Sequence, residues 1–526
     1  MKVYESTSSA HNLEVSLQFM GANSGVVTGS ATIVSIKRND VVRNILVDRG
    51  CFQGKDESKN YDRNIDASKI HAFLITHAHL DHGGDAARFY KIIAGKTPYK
   101  GKIYGSVETL NQLIPLLTDA AKQYELKYRR LNRSLSKTNS SIQKWKEKAE
   151  REDANPQEIA SYDSAMDTIN EQLEKIPFTM EDVEETIKHF ERVEIEEGGT
   201  EISLFEGIDI KFIPSPHING STMVEISASL GDQNYTILFT GDIGRNDSLL
   251  YKNLSYKGNP LVKSIVLESL HGTEESTVSV ESSVKELYQL FEKIHRNGQI
   301  GFLVSFAMDR SAMMVKLMND FKRERNPDFK YCIDSPLTER ELILYQQSYL
   351  NGSVWFKREK NRNPFNSDDI KFINGGPQHV LAAMMYEPDI VLTASGWGYG
   401  GRVLDYFRNF VQDPRAVFIF PEFMEEGCPS RILVDAKKGE LIELNGERLI
   451  KQCETHHLSG FSSHGYLPEK LQILGACSNL DTVFLNHGDE VSLNQLYDEL
   501  SNMTKPDGTK LYEVIIPEYG DCYKLR

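Results

Sequence analysis

Read for alternation of apolar and polar positions, the N-terminal part of the chain breaks into short hydrophobic runs closed by turn residues. These are RNILVD (43–48), HAFLIT (71–76), IDIKFI (208–213), TMVEISAS (222–229) and YTILFT (235–240), and each reads as a strand. Between about 107 and 200 the period changes. VETLNQLIPLLTDAAKQYELKYRRLNRSLSK, IQKWKEKAEREDANPQEIASYDSAMDTINEQLEKI and TMEDVEETIKHFERV are long, polar and helical in spacing, so a helical insertion is predicted there. From about 300 to 420 the strands IGFLVS, FKYCI, DIVLTA and AVFIF alternate with helical segments such as DRSAMMVKLMNDFKRER and RVLDYFRNF. That alternation predicts a second, α/β domain on a mostly parallel sheet. Two further strands follow, TVFLN (482–486) and EVIIP (513–517), with no internal repeat or low-complexity tract.

Composition narrows this picture. A chain of 526 residues exceeds one ordinary core, so two or more domains are expected. Hydrophobic residues at 40% and charged residues at 26% are those of a globular protein. MKVYESTSSAHNLEVSLQF has no apolar signal core, and no apolar run approaches membrane-spanning length, so a cytoplasmic enzyme without membrane attachment is expected. The six cysteines (Cys51, Cys332, Cys428, Cys453, Cys477, Cys522) are dispersed, without a C-x-x-C pair, and suggest reduced thiols in place of disulfides or a thiolate metal site. A net charge of −15 excludes a general polyanion coat, so any nucleic acid must be met locally.

The chemistry concentrates in THAHLDHGG (76–84), which packs His77, His79, Asp81 and His82 into six positions of a chain with fourteen histidines. Imidazoles crowded beside a carboxylate repel when protonated and are best explained by a cation that gathers them. Further ligand-type residues end or follow predicted strands: Asp48 in LVDRG, His217 in PSPHINGST, Asp242 in FTGDIGR and His487 in VFLNHGDE. An Asp before Gly is by itself a turn residue, but strand ends are rigid platforms on which distant residues can converge. Five imidazoles and two carboxylates suffice for two cations sharing a carboxylate.

In that order and context, Asp48, the hexad, His217 and Asp242 resemble the motifs of the metallo-β-lactamase fold. DRGCFQG (48–54), VLESLHGT (266–273), VSFAMDR (304–310), DSPLT (334–338), ASGWGYGGR (394–402), GFSSHG (460–465) and NHGDE (486–490) are similar to stretches of the β-CASP nucleases, a group that includes the mRNA 3′-end endonuclease and RNase J. The resemblance implies an αββα metallo-β-lactamase sandwich with an inserted parallel-sheet α/β β-CASP domain and a helical insertion. The expected division is 1–270 and 431–526 for the two parts of the sandwich and 271–430 for the insert. It implies two divalent ions, Zn2+ by preference with Mn2+ or Fe as alternatives. His77, His79 and His217 would hold one, Asp81, His82 and His487 the other, with Asp242 bridging and Asp48 ordering the site from behind. It also implies phosphodiester hydrolysis by a metal-bridged hydroxide, with His464 as general acid polarised by Glu268.

A histidine at position 487 resembles the RNA-cleaving branches, so single-stranded RNA is the expected substrate and endonucleolytic cleavage the expected mode. A 5′-exoribonuclease, a DNA nuclease of the same family, a small-ester or thioester hydrolase and a non-catalytic RNA-processing subunit are the alternatives; a homodimer is also allowed. GWGYGG (396–401) fits the dinucleotide pattern G-x-G-x-x-G, with Glu422 after the next strand, but its place in the family pattern assigns its amides to RNA phosphate. Ser305, Arg310, Ser395, Gly396 and Arg402 are the candidate substrate contacts. Ten basic residues against three acids between Lys122 and Arg151 could guide RNA, although a solvated helical face is the favoured reading. The chain departs from the family at SPH, SSHG and NHGDE, where AGH, SAHA and VHGE are usual.

Overall fold

The computed structural model of the chain describes residues 12–62, 65–91, 98–149, 164–169, 171, 176–274, 278–359, 362–366 and 370–526. Its strands are, in chain order, β1 (Leu13–Phe19), β2 (Thr32–Arg38), β3 (Val41–Val47), β4 (Ala72–Leu74), β5 (Ile103–Ser106), β6 (Phe190–Val193), β7 (Thr200–Phe205), β8 (Ile208–Pro214), β9 (Thr222–Leu230), β10 (Gln233–Phe239) and β11 (Val262–Glu268). There follow β12 (Ile300–Val304), β13 (Tyr331–Asp334), β14 (Lys371–Phe372), β15 (Ile390–Thr393), β16 (Ala416–Phe420), β17 (Leu441–Leu444), β18 (Glu447–Ile450), β19 (Glu454–His457), β20 (Thr482–Asn486), β21 (Glu513–Ile515) and β22 (Cys522–Lys524).

Two seven-stranded sheets, ordered β22-β1-β2-β3-β4-β5-β6 and β21-β20-β11-β10-β9-β8-β7, form the first unit. Their period-two alternation places Leu13, Val15, Leu17 and Phe19 of β1 in one interlayer core with Ile208, Ile210 and Phe212 of β8 and Val224, Ile226 and Ala228 of β9. The opposite faces are equally apolar. Leu46, Phe73, Ile75 and Ile103 pack under Leu110, Leu113 and Leu117 of the helix Val107–Ala149. Leu238, Ile265, Leu267, Val483 and Leu485 pack under Ile473 and Leu474 of one helix and Leu493, Leu496 and Leu500 of another. Each fully buried leucine contributes about 2 kcal/mol. The result is the expected helix–sheet–sheet–helix sandwich.

The parallel α/β unit is also present. Its sheet runs β14-β13-β15-β12-β16-β19, with every neighbouring pair parallel, and it takes its last strand from beyond residue 430. Helices such as Val280–Asn297, Arg310–Glu324 and Pro336–Leu350 accompany it. The chain then returns to the sandwich, where β20 lies parallel to β11, one strand in from the edge of the second sheet.

The helical insertion starts as one helix, Val107–Ala149, about 65 Å long at 1.5 Å per residue. Residues 150–163, where the predicted helix 142–176 continues, lie outside the described residues. The helical reading of 179–193 holds only as far as Lys188, because Phe190–Val193 forms β6, parallel to β5. Phe190 and Val193 are buried there and Glu191 and Arg192 exposed, so an i, i+3 apolar spacing served a strand. The six cysteines are free thiols. Among the described residues, no helix is long and apolar enough to cross a membrane.

Candidate metal centre and active site

The clustered ligands follow from a change of backbone within the hexad. After β4 the chain continues extended through His77 and His79, and His79 then caps a single helical turn, Leu80–Gly83. The extended leg carries His77 and His79; the turn carries Asp81 and His82. Beneath lies the loop that leaves β3, bound to the hexad by Arg49 N–H to His82 O and Cys51 N–H to Leu80 O, both 2.8 Å. Ser30 joins them, donating its N–H to Asp81 O at 2.8 Å and accepting that of Gly50 at 2.9 Å. Only glycine fits at position 50, since a Cβ there would lie 1.7 Å from the Asp81 carbonyl oxygen. Buried Arg49 pairs with Asp85 at 3.0 Å.

The remaining ligands arrive from other strand ends, His217 after β8, Asp242 after β10, Glu268 at the end of β11 and His487 after β20. Gly244 lets the Asp242 loop close on that of His217, for a Cβ there would sit 2.1 Å from the Pro216 carbonyl carbon. His487 adopts the left-handed conformation, φ 53°, and its N–H is tied to Ala22 O at 2.7 Å.

Two nests result. In the first, His79 Nδ1 lies 3.1 Å from His77 Nε2 and 3.2 Å from His217 Nε2, and Asp242 Oδ2 is 3.4 Å from each of those Nε2 atoms. In the second, His487 Nε2 is 3.2 Å from Asp81 Oδ2, while Asp242 Oδ1 lies 3.0 Å from His82 Nε2 and 3.6 Å from His487 Nε2. Asp242 therefore turns one oxygen to each nest. His82 Nε2 and Asp242 Oδ1 are close yet, among the described residues, neither has a hydrogen-bond partner. Two such buried atoms converging without bonding each other aim at a common point, as ligands of a cation do. The donor set of imidazoles and carboxylates fits a divalent metal at each nest.

The electrostatics divide the nests. Burial holds His77 and His217 below the ordinary histidine range and His79 down to about 3, with neighbouring histidines adding to the effect. These rings are neutral, as ligands must be. At His82 burial acts the same way, but Asp242 and Asp48 outweigh it and raise the ring well above its ordinary value. Asp242 and Asp81 likewise raise His487. Burial opposes ionisation of Asp81 and Asp242, yet the surrounding histidines hold both carboxyls below their usual range.

Asp48 stands behind the second nest, φ 58°. Its Oδ2 lies 2.8 Å from His82 Nδ1, and Oδ1 accepts the Thr76 N–H at 2.8 Å. This orients the imidazole and leaves Nε2 for the nest. On the other side, His464 Nδ1 lies 2.5 Å from Glu268 Oε1 and 3.8 Å from Asp242 Oδ2. The Ile243 N–H holds Glu268 Oε2 at 2.5 Å.

The candidate substrate residues are more dispersed. Ser305, Ser395 and Gly396 sit where the chain leaves β12 and β15. Arg310 is buried, and among the described residues its Nε and Nη1 have no partner. Arg402 Nη1 instead binds the fully buried Asp334 and the Ile373 carbonyl. Gly396 is pressed against Glu422, whose Oε2 accepts the Phe306 N–H at 3.0 Å. That carboxylate is buried and engaged within the loop, unlike the ribose-binding acid of a dinucleotide site. Lys122, Lys127, Arg129, Arg130, Arg133 and Lys137 are exposed along the long helix; the side chains of Lys144, Lys146, Lys148 and Arg151 lie outside the described residues. The local reading missed Thr76, Arg49 and Gly50, for which the strand-end DRG was the available signal, and also His271.

Comparison with known proteins places both units. A model of the metallo-beta-lactamase superfamily matches residues 26–105 and one of the Beta-Casp domain matches residues 312–433. The chain is 24% identical over 470 residues to a ribonuclease of Thermus thermophilus, covering 89% of this chain and 92% of that one. It is 24% identical over 461 residues to transcription termination factor FttA of Methanosarcina mazei, covering 85% of this chain and 63% of the relative. With RNase aCSPSF2 of Saccharolobus solfataricus it shares 22% over 484 residues, 91% of this chain and 80% of the relative. The two matched segments fall on the sandwich half that carries Asp48 and the hexad and on the parallel-sheet insert, so the chain carries a metallo-beta-lactamase superfamily domain and a Beta-Casp domain.

Proposed function

We propose that this chain is a metal-dependent ribonuclease that cleaves single-stranded RNA internally, with Zn2+ as its metal. The observation that carries the reading is the single carboxylate, Asp242, facing two ligand nests, with the His464–Glu268 pair beside them. Relatives named as ribonucleases support RNA as substrate.

Divalent ions at the two nests would activate water and offset the charge that develops at phosphorus. His77, His79 and His217 would hold one, Asp81, His82 and His487 the other, and Asp242 both. Asp48 fixes the tautomer and orientation of His82. Water supplies the new P–O bond as the old one breaks, and the departing oxygen takes its proton from Nε2 of His464. Glu268, on Nδ1, orients the ring and leaves Nε2 for that transfer. In open parallel sheets ligands gather at the carboxyl ends of strands. The loops after β12, β15 and β16 occupy that place in the insert, where Ser305, Ser395, Gly396 and Arg310 would meet the RNA. The division proposed is thus a sandwich for the metals, 1–270 and the chain that follows β19, and an insert for the polymer that runs past the expected boundary at 430 to include β19.

Incubation of the metal-loaded protein with 5′-labelled and internally labelled RNA, with and without chelator, tests this. Discrete shortened 5′-terminal fragments from the end label and a full set of fragments from the internal label, lost with chelator and restored by Zn2+, are expected. Mononucleotides released from the 5′ end would replace the endonuclease by an exonuclease. Intact RNA in the presence of a fully metallated protein would overturn the assignment.

A further inference from the structure

The loop that carries His464 is held by more than Glu268. Arg245 Nη1 donates to the carbonyls of Gly460 at 2.9 Å and Ser462 at 3.3 Å, and its guanidinium lies 5.3 Å from the ring centre of Tyr466. The third support is His271, three residues after Glu268 at the end of β11. Its Nε2 lies 3.1 Å from Ser462 Oγ, and Ser462 Oγ in turn accepts the backbone N–H of His464 at 3.3 Å. The His271 ring stacks on Tyr466, centroids 4.5 Å apart and planes at 17°, and its Nδ1 is 3.4 Å from Glu274 Oε2.

His271 also holds an uncommon backbone conformation, φ 61°, which costs a side chain with a Cβ about 1 kcal/mol or more. A residue placed there against that cost, with both ring nitrogens and one ring face engaged, marks a side chain with a task. Its ring centre is 6.4 Å from that of His464, so it does not share the proton that His464 gives. Its reach is to the hydroxyl beneath the His464 backbone. Lys470, Arg245, Asp489 and Glu274 are the other charged groups that face it.

We propose that His271 is a positioning residue for His464, acting through the Ser462 hydroxyl, so that the proton-donating ring is fixed from its backbone as well as from its Nδ1. Whichever way the Ser462 proton points, the hydroxyl keeps an oxygen lone pair for the His464 N–H. Without His271 the hydroxyl is free to rotate and the loop loses one of its ties. This rests on His464 acting as the general acid, and the test separates the two.

The full chain, loaded with Zn2+, is assayed on RNA and on bis(p-nitrophenyl) phosphate, whose leaving group departs without needing a proton. His464→Ala is expected to lose about 10²- to 10⁴-fold on RNA and far less on the activated ester. His271→Ala and Ser462→Ala are expected to lose about tenfold in kcat on RNA, a fraction of the His464 effect, with KM held within about twofold and a smaller loss on the ester. His271→Gln, which keeps a polar atom near the Nε2 position, is expected to regain most of the RNA activity. Metal content and Tm are measured on each variant. If His271→Ala and Ser462→Ala match the parent on RNA, or lose as much on the ester as on RNA, the positioning role is wrong. If Gln restores nothing in a folded, metallated protein, it is equally wrong. A His464→Ala variant with undiminished RNA cleavage would instead remove the general acid on which the inference stands.

Discussion

Gly50→Ala probes the construction of the centre without touching a ligand. The backbone at Gly50 does not require positive φ, so the sole obstacle to alanine is the Cβ. That atom would lie 1.7 Å from Asp81 O, 1.8 Å from Asp81 C and 2.4 Å from His82 N. Ordinary contact begins near 3.4 Å, so from 1.7 Å the Asp81–His82 peptide must retreat by about 1.7 Å. The retreat breaks Ser30 N–H to Asp81 O and Arg49 N–H to His82 O, two bonds worth about 1 kcal/mol each. It also carries Asp81 and His82 out of the second nest while His77 and His79, on the extended leg, stay. A misplacement of about 1 Å in a reacting constellation can cost about 100-fold, equivalent to about 2.7 kcal/mol in the barrier. The variant should therefore lose about 2 kcal/mol of stability, at least 100-fold in kcat/KM, and one of two bound metals. Elemental analysis, chemical denaturation and RNA cleavage read these three quantities. Gly475→Ala is the control, because nothing lies within 4 Å of its Cβ position and the residue is helical. There alanine should stabilise by up to about 1 kcal/mol. A Gly50→Ala protein with two metals and unchanged cleavage would refute the account of how the hexad is held.

Other outcomes follow from the same geometry. Asp48→Asn keeps the shape but weakens the carboxylate's hold on His82 Nδ1, and metal affinity should fall about 10- to 100-fold, measured by competition with a chelator. On acidification the Asp81/His82/His487 nest should empty first, since its histidines are raised above the ordinary 6.5 and those of the first nest are held below it, His79 to about 3; metal content after dialysis at successively lower pH tests the order. In the metal-free protein, the stability contributed by His77, His79 and His217 is present above 6.5 and lost as pH falls toward about 3. That from His82 and His487 is full below 6.5 and lost as pH rises through their raised values, so thermal melts at several pH values should resolve both limbs. Arg402→Ala leaves the fully buried Asp334 short of its guanidinium partner and should cost about 3 kcal/mol of stability in a denaturant titration, with RNA affinity changed little.

Much of this was legible in the residues because the ligands sit where local pattern is strongest. A run such as HAFLIT announces a strand by its burial, and the His and Asp just beyond it stand out against a turn. What local pattern could not show is that His79 and His217, 138 positions apart, share a nest. Convergence of that kind is set by the stacking of the two sheets, tied beside the hexad by the Thr222 N–H to the Thr76 carbonyl at 2.9 Å. The spacing of Phe190 and Val193 fits a helix face and a strand equally well, and only the pairing with β5 decides. His271 carried no signal because its role depends on Ser462, a contact across 191 positions. The partner of Arg402, Asp334, lies 68 positions upstream, a contact that local pattern likewise does not carry.

The placement of β20 between β11 and β21 has a consequence for the life of the polypeptide. His487 rides on the end of that strand, so during folding the second nest cannot close until the segment around residue 487 has left the insert behind and paired with β11. The first nest has no such wait, because its four members all precede the insert.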